Sequence, residues 1–334
     1  VRHRSDGARF DEAEALMRWD DETDGTLRGK VVVVTGASSG FGRGAALAFA
    51  RAGAVVVLAA PRGEVLDEAT RSCIAEGAEA LAVETDVSDP VDVAQLAHEA
   101  TTRYGRIDVW INNAGGGAVG RFDAIPLDDH AQVIETTLLG TLYGSYLAIR
   151  QFRRQRKGTL INVASVTGKV AALYYASYTA AKHGVVGLSA ALRLELAEEE
   201  EDREIRVCTL MPDAHDTPFF EHAANYSGHA MTPPPPVHDP ENVVEAMLDL
   251  ARNPRDELVV GSAGQTAVAT DRLSPALAEK MLARSHRKQM EAPPAPPTDG
   301  ALIEPKPRGT TVRGGWKPKR GARRRNVPAD RPDA

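Results

Sequence analysis

Tyr178 and Lys182 lie four residues apart, a spacing that stacks both side chains on one face of a helix. A free phenol titrates near ~10, too high to exchange protons readily at neutral pH. An ammonium alongside favours the phenolate, so the pair can supply a general acid or base near working pH. Ser165 stands thirteen residues before Tyr178, at the carboxyl end of an apolar run, where its hydroxyl can hydrogen-bond a substrate oxygen. Taken singly, each has a plainer explanation. A Tyr and a Lys at helical spacing are usually a surface pair, and a strand-end serine is usually a cap. His183, next to Lys182, points to another side of the helix, and a structural role is expected for it.

A second constellation gives these residues something to act with. Thr35 to Gly42 reads T-G-A-S-S-G-F-G and lies directly between a β-branched run and a helical segment. Gly36 permits a tight turn, Gly40 lets a pyrophosphate approach the backbone, and Gly42 lets helix and strand pack closely. The free N–H groups and positive end of the helix then face an anion. A lone glycine triplet is weak, but here strand and helix flank it as the motif requires.

The elements that position these groups alternate along the chain. Short apolar runs at Lys30–Thr35, Ala54–Ala59, Ala80–Val83, Ile107–Ile111, Thr159–Val163, Arg206–Met211 and Glu257–Val260 read as strands. Helices are expected over Gly40–Ala52, Glu64–Glu76, Val91–Tyr104, Asp128–Arg154, Tyr178–Glu199 and Pro275–Gln289. Strands apolar on both faces and joined by helices imply a parallel sheet covered on both sides. The expected fold class is α/β, a Rossmann-type doubly wound parallel sheet of about seven strands in three layers. The expected organisation is an N-terminal extension over 1–28, a dinucleotide-binding catalytic domain over 29–264, a helical extension over 265–290 and a basic tail over 291–334.

The spacing T-G-x-x-x-G-x-G resembles the short-chain dehydrogenase/reductase family. Three further motifs follow in that family's order: Asn112-Asn-Ala-Gly115 after the fourth strand, Ser165 after the fifth, and Tyr178-x-x-x-Lys182. Asp86-Val87, after the third strand, is similar to the family's adenine contact. The resemblance covers about Gly29 to Gly261. It implies hydride transfer between nicotinamide C4 and a carbonyl or alcohol carbon, with the chemical power residing in the cofactor. Tyr178 would move the proton, and Ser165 would position and polarise the substrate oxygen. Lys182 would also hold the nicotinamide ribose, and the ring's positive charge would further favour phenolate. By the same resemblance Gly36, Ser38, Ser39, Gly40, Phe41, Gly42, Asp86, Val87, Asn112, Ala114 and Gly115 would cradle the cofactor, together with Tyr178 and Lys182. Pro212, His215 and Thr217 match positions around the carboxamide. Pairing through the two long helices, Asp128–Arg154 and Tyr178–Glu199, would make a homodimer or homotetramer.

Two positions depart from the pattern. Thr137 stands where the family usually has an active-site Asn that supports a water in a proton relay. Asp213 replaces a glycine that commonly follows the proline after the sixth strand. These departures motivate an alternative: a cofactor-binding, weakly catalytic sensor or scaffold of the same fold.

An acid at the end of the second strand would select NAD by pairing with the ribose 2′-OH. Ala60 occupies that position and Pro61-Arg62 follows. Arg62, and in a lesser role Arg43, suits a 2′-phosphate through its planar fork. NADP(H) is the expected preference, with NAD(H) possible. Tyr174, Tyr175, Phe219, Phe220 and Tyr226 would form an aromatic wall, with Ser165, Tyr174, Tyr175 and Phe219 meeting a small carbonyl or alcohol substrate. Those rings could equally pack a lid onto the core.

Composition is that of an ordinary soluble globular protein. No apolar stretch approaches the ~20 residues of a membrane-crossing helix, and only Cys73 and Cys208 are present, which argues against a disulfide scaffold. Buried thiols and a cytoplasmic setting are expected, with no metal site. The formal net charge of −6 argues against a nucleic-acid partner. The tail over 291–334 carries ten Lys and Arg against five acids and is rich in proline. It reads as mostly disordered.

Overall fold

The computed structural model describes residues 27–61, 63–306 and 309–317. Seven parallel strands form the main sheet: β1 (Val31–Thr35), β2 (Val55–Ala60), β3 (Ala80–Glu84), β4 (Val109–Asn112), β5 (Gly158–Val163), β6 (Ile205–Pro212) and β7 (Glu257–Val260). Their spatial order is 3-2-1-4-5-6-7, a Rossmann-like arrangement. The alternation of β1 shows why both faces are apolar. Val32 and Val34 enter one core with Phe49, Leu66 and Met247. Val31 and Val33 enter the opposite core with Leu96, Phe152 and Leu196. Helices Gly40–Arg51, Gly63–Ala75 and Glu241–Arg252 cover the first face, while Pro90–Tyr104, Gly140–Gln155 and Ala176–Glu198 cover the second. Cys73 and Cys208 are both buried within the first core. Burial pushes their thiols up, to about 12 and about 11, which keeps them inert.

The strand order reverses between β1 and β4, and ligands of such sheets bind at that crevice. Two loops meet there and are stitched together by one side chain. The Thr35 hydroxyl accepts from the backbone N–H groups of Asn113 and Ala114 at 3.0 and 3.1 Å. Asn113 in return donates to the Thr35 carbonyl at 2.9 Å.

Several elements differ from expectation. The long helix expected over Asp128–Arg154 is present, running through Leu127–Ile134 and Gly140–Gln155, but with a π-helical turn at Glu135–Leu139 between them. π-bulges of this kind recur at functional sites, and this one contains Thr137. The expected set also omits the helices Glu241–Arg252 and Ser262–Leu273 and a two-stranded parallel ribbon, Ala118–Gly120 against Ala224–Tyr226. The first of these is legible afterwards, because Val243, Val244, Met247 and Leu250 repeat at helical spacing and are all buried.

The expectation of a mostly disordered tail does not hold for 291–306 and 309–317. These stretches carry almost no regular structure, as their prolines dictate, yet they are bonded to the core. Asn225 and Thr298 exchange backbone hydrogen bonds at 2.7 and 3.0 Å, and Ala301 N–H donates to the His222 carbonyl at 2.7 Å. Leu302 and Val312 are buried. Trp316 donates its backbone N–H to Asp216 at 2.7 Å and its indole N–H to the Thr217 carbonyl at 2.9 Å. Low apolar content limits how much core a segment can add, but does not prevent a few anchors and backbone donors from docking it. The 1–26 part of the N-terminal extension and residues 318–334 of the tail lie outside the described residues.

Candidate active site

One cavity of about 490 Å³ runs along the carboxyl ends of the strands. It begins at Gly36, Ser38, Ser39, Gly40 and Phe41, passes Asp86 and Val87 and then Ala114 and Gly115, and ends at Ser165, Tyr178 and Lys182. Pro212, His215, Thr217, Tyr175 and Phe219 also line it. Residues separated by more than a hundred positions in the chain thus share one crevice.

The glycines explain its shape. Gly36 and Gly40 have φ of 67° and 54°, a left-handed backbone that favours glycine. A Cβ on Gly42 would lie 2.2 Å from the Gly36 carbonyl oxygen, so Gly42 serves the close packing of helix on turn and does not line the cavity. The chain segments present fit a dinucleotide. Gly36 and Gly40 put no side chain between the cavity and the helix start, and Gly115 leaves room beside Lys182, where a Cβ would lie 3.6 Å from Nζ.

At the far end, Ser165 is set by the end of β5. Its Oγ donates to the Pro212 carbonyl at 3.3 Å and accepts from Thr167 N–H at 3.2 Å. Tyr178 and Lys182 project from one face of Ala176–Glu198, with Nζ 5.6 Å from the phenol ring centre. Lys182 is buried and donates to the Val163 carbonyl at 2.7 Å. Burial raises the Tyr178 phenol to about 12, and a hydrogen bond with Ser165 opposes the rise. Burial also lowers Lys182 to about 7. The expected pull of an ammonium on the phenol is therefore corrected: desolvation dominates, and the lysine is itself driven towards neutrality. In this state the phenol is a proton donor.

Other assignments are also corrected. Asn112 does not reach the cavity. It lies in β4 and points into the core, where its amide donates to Asn162 Oδ1 at 2.9 Å and its Oδ1 accepts from the Trp110 indole at 2.8 Å. Asn113, one residue past the strand, lines the cavity instead. Arg43 is buried and its guanidinium is engaged, donating to Glu68 and to the Thr310 carbonyl, both at 2.9 Å, so it faces no 2′-phosphate. Arg62 lies outside the described residues. Tyr174 adopts φ 69° and packs with Val119, Ala172 and Tyr175 away from the cavity lining. The Tyr226 hydroxyl donates to Asp129 at 2.6 Å, also off the cavity. His183 is exposed, with Nδ1 2.9 Å from the Thr179 carbonyl.

Both departures from the family pattern have partners. The Thr137 hydroxyl accepts from Gly116 N–H and donates to the Gly116 carbonyl, each at 3.1 Å. It thus pins the loop after β4 and has no proton left to offer a relay water. Asp213 accepts from Gly264 N–H at 3.0 Å, capping the Ser262–Leu273 helix. Burial raises its carboxyl. His215 sits beside it, 5.5 Å from the Phe41 ring, and burial lowers its imidazole to about 4. Its side chain therefore fills space next to the glycine turn as a neutral ring.

Sequence reasoning missed several lining residues, among them Gly116, Gly117, Leu282, His286, Leu302 and Pro305. Leu282 and His286 come from the expected Pro275–Gln289 helix, and Leu302 and Pro305 from the tail. The one signal there is the apolar Ala301-Leu302-Ile303 inside a proline-rich stretch.

A Rossmann-like sheet with a glycine turn at its switch point and a Ser–Tyr–Lys group at the far end defines a class of nicotinamide-dependent oxidoreductases. The short chain dehydrogenase pattern matches residues 30–226, and the chain belongs to that family. It is 32% identical over 285 residues to the uncharacterized oxidoreductase YxnA of Bacillus subtilis, covering 83% of this chain and 79% of that protein. It is 35% identical over 232 residues to 3beta-hydroxysteroid dehydrogenase 1 of Eggerthella lenta, covering 67% and 87%. Among solved structures, it is similar to an alcohol dehydrogenase from Thermococcus sibiricus complexed with 5-hydroxy-NADP. The TM-score is 0.61 at 25% identity, over 70% of this chain and 96% of that one. The protein is an NAD(P)-dependent oxidoreductase acting on CH–OH groups. Among the described residues no helix is long and apolar enough to cross a membrane.

Proposed function

We propose that this enzyme interconverts a carbonyl compound and a secondary alcohol with NADP(H), using Tyr178 as general acid/base. The observation that carries this reading is the single cavity joining the glycine turn to Ser165, Tyr178 and Lys182. Bound nicotinamide supplies or accepts hydride. Ser165 holds the substrate oxygen, and Tyr178 O–H delivers the proton to it or takes it back. Lys182, pinned by the Val163 carbonyl, would hold the nicotinamide ribose. Ser38, Ser39 and Phe41 would hold the pyrophosphate, with Gly40 giving it room while its own N–H stays on the Thr311 carbonyl; Asp86 and Val87 would hold the adenine, and the backbone around His215 and Thr217 the carboxamide. Tyr175 and Phe219 would wall the substrate.

The NADP(H) preference is supported by Ala60, which places no carboxylate at the end of β2 to repel a 2′-phosphate, and by the NADP analogue in the similar archaeal enzyme. The test is kcat/KM with each cofactor on a panel of ketones. NADPH is expected to be favoured by about tenfold or more, the effect of ~1.4 kcal/mol of differential binding. A clear preference for NADH overturns the assignment.

The sensor reading rests on Thr137, whose hydroxyl is committed to Gly116. NADPH binding with no turnover on any ketone or alcohol would favour it. A homodimer or homotetramer is supported by exposed Leu142, Tyr146 and Leu194 on the two long helices, apolar surface that association would cover. Sedimentation of the wild type and Leu194→Glu measures this. The variant is expected to shift towards monomer, and an unchanged monomeric profile in both refutes pairing.

A further inference from the structure

We infer that the docked C-terminal strap is a fixed wall of the substrate pocket, with Leu302 the residue that sets substrate size, and that the pocket takes compact, uncharged, apolar ketones or their alcohols. This rests on the oxidoreductase reading of the same site and names its substrate class.

The position of Leu302 carries the argument. It comes from a proline-rich segment far beyond the sheet, yet it is only 8% exposed and packs in the apolar cluster that Tyr178 adjoins. Its Cδ1 lies 2.9 Å from where a Cβ on Gly116 would be. Phe219 Cζ stands at the same 2.9 Å from the corresponding point on Gly117, and its ring is 5.4 Å from that of Tyr178. Leu302 and Phe219 thus clasp two bare glycines next to the reacting phenol. Removing bulk from either enlarges the pocket beside the proton donor.

The described stretches 291–306 and 309–317 are each anchored. On the substrate side, Ala301 donates to His222, and Thr298 pairs with Asn225. On the cofactor side, Gly40 N–H donates to the Thr311 carbonyl at 2.9 Å, and Arg43 donates to the Thr310 carbonyl. Arg313 bonds Asp239 and Glu241 at 2.8 and 2.6 Å, which ties the strap to the start of the Glu241–Arg252 helix. Multiple charge-assisted bonds over a short stretch fix it more firmly than one exposed pair would.

Charge decides the substrate class. Among the described residues that line the cavity, Lys182 is the sole Lys or Arg, and its ammonium group is committed to the Val163 carbonyl. At the substrate end, beside Tyr178, Phe219 and Leu302, away from the helix start that would receive the cofactor's phosphates, a carboxylate or phosphate on the substrate would be desolvated with no further Lys or Arg to receive it. A neutral ring or branched chain meets Leu302, Phe219 and Leu282 instead.

The test compares wild type, Leu302→Ala, Leu302→Val and Leu302→Trp. Substrates are neutral cyclic ketones of graded size with NADPH, set against acetoacetyl-CoA and a keto acid. Ligand binding to the NADPH complex is measured in parallel by thermal shift, and NADPH affinity by fluorescence. Wild type is expected to favour neutral ketones at least tenfold in kcat/KM. Leu302→Ala should move the size optimum to larger ketones, Leu302→Val should do so more weakly, and Leu302→Trp should exclude the larger ketones, all with NADPH affinity retained. The inference is overturned if the anionic substrates are preferred, if the size ranking is the same in all four proteins, or if no neutral ketone binds. Graded binding that follows residue 302 without turnover leaves the wall standing and removes the oxidoreductase reading instead.

Discussion

Tyr178→Phe is expected to lose turnover by about 10²–10⁴-fold, the range for a positioned general acid or base, while still binding NADPH. The substitution removes one oxygen and keeps the ring against Phe219, so the pocket is preserved and the loss should fall on kcat rather than on KM. Burial holds the wild-type phenol at about 12. It therefore stays protonated across neutral pH, and ketone reduction should show no loss from phenol ionisation in that range. Ser165→Ala should cost about 10²–10³-fold, typical of losing one donor to a developing oxyanion. Stopped-flow absorbance of NADPH with ketone measures the chemical step directly. Turnover close to wild type in Tyr178→Phe would remove this residue from the reaction.

What was legible in the sequence divides along the range of the forces involved. Thr35–Gly42 and the Tyr178–Lys182 pair are local geometries, a strand–turn–helix and one helical turn, so their spacing alone reports them. The two halves of the β1 pattern, Val31/Val33 and Val32/Val34, likewise announce a sheet buried on both sides. Asn112 shows where a motif misleads. It and Asn113 are identical in type and adjacent, and the end of β4 decides which one turns into the core and which into the crevice. The phenol's acidity misled for a related reason. A lysine four residues away is visible in the sequence, but the burial that outweighs it depends on the whole tertiary structure. The strap was hidden because proline content reports the lack of helix, not the lack of contacts. Its docking uses backbone carbonyls of Thr310 and Thr311, which every residue possesses and no composition reveals.

Lys182→Met should separate catalysis from stability. Turnover is expected to fall by about 10²–10⁴-fold, with weaker NADPH binding, because the side chain that orders the ribose and faces the phenol is lost. Stability should change with a definite pH signature. Lys182 titrates near 7 in the folded cofactor-free protein because burial disfavours its charge, against ~10.4 when unfolded. Between these values the unfolded chain binds the extra proton, so wild-type stability rises with pH over that interval and loses the contribution as pH falls towards 7. From pH ~7 to ~9 the rise is at most about 2–3 kcal/mol. The methionine variant lacks this slope. Its loss of the hydrogen bond to Val163 is a constant offset, independent of pH, so the difference between the two proteins isolates the lysine. Urea titrations of both proteins at each pH give that difference, and Lys182→Met should lose ground against wild type as pH rises. Parallel stability curves would mean that the ammonium is solvated in the folded protein, and the burial assigned to Lys182 would then be wrong.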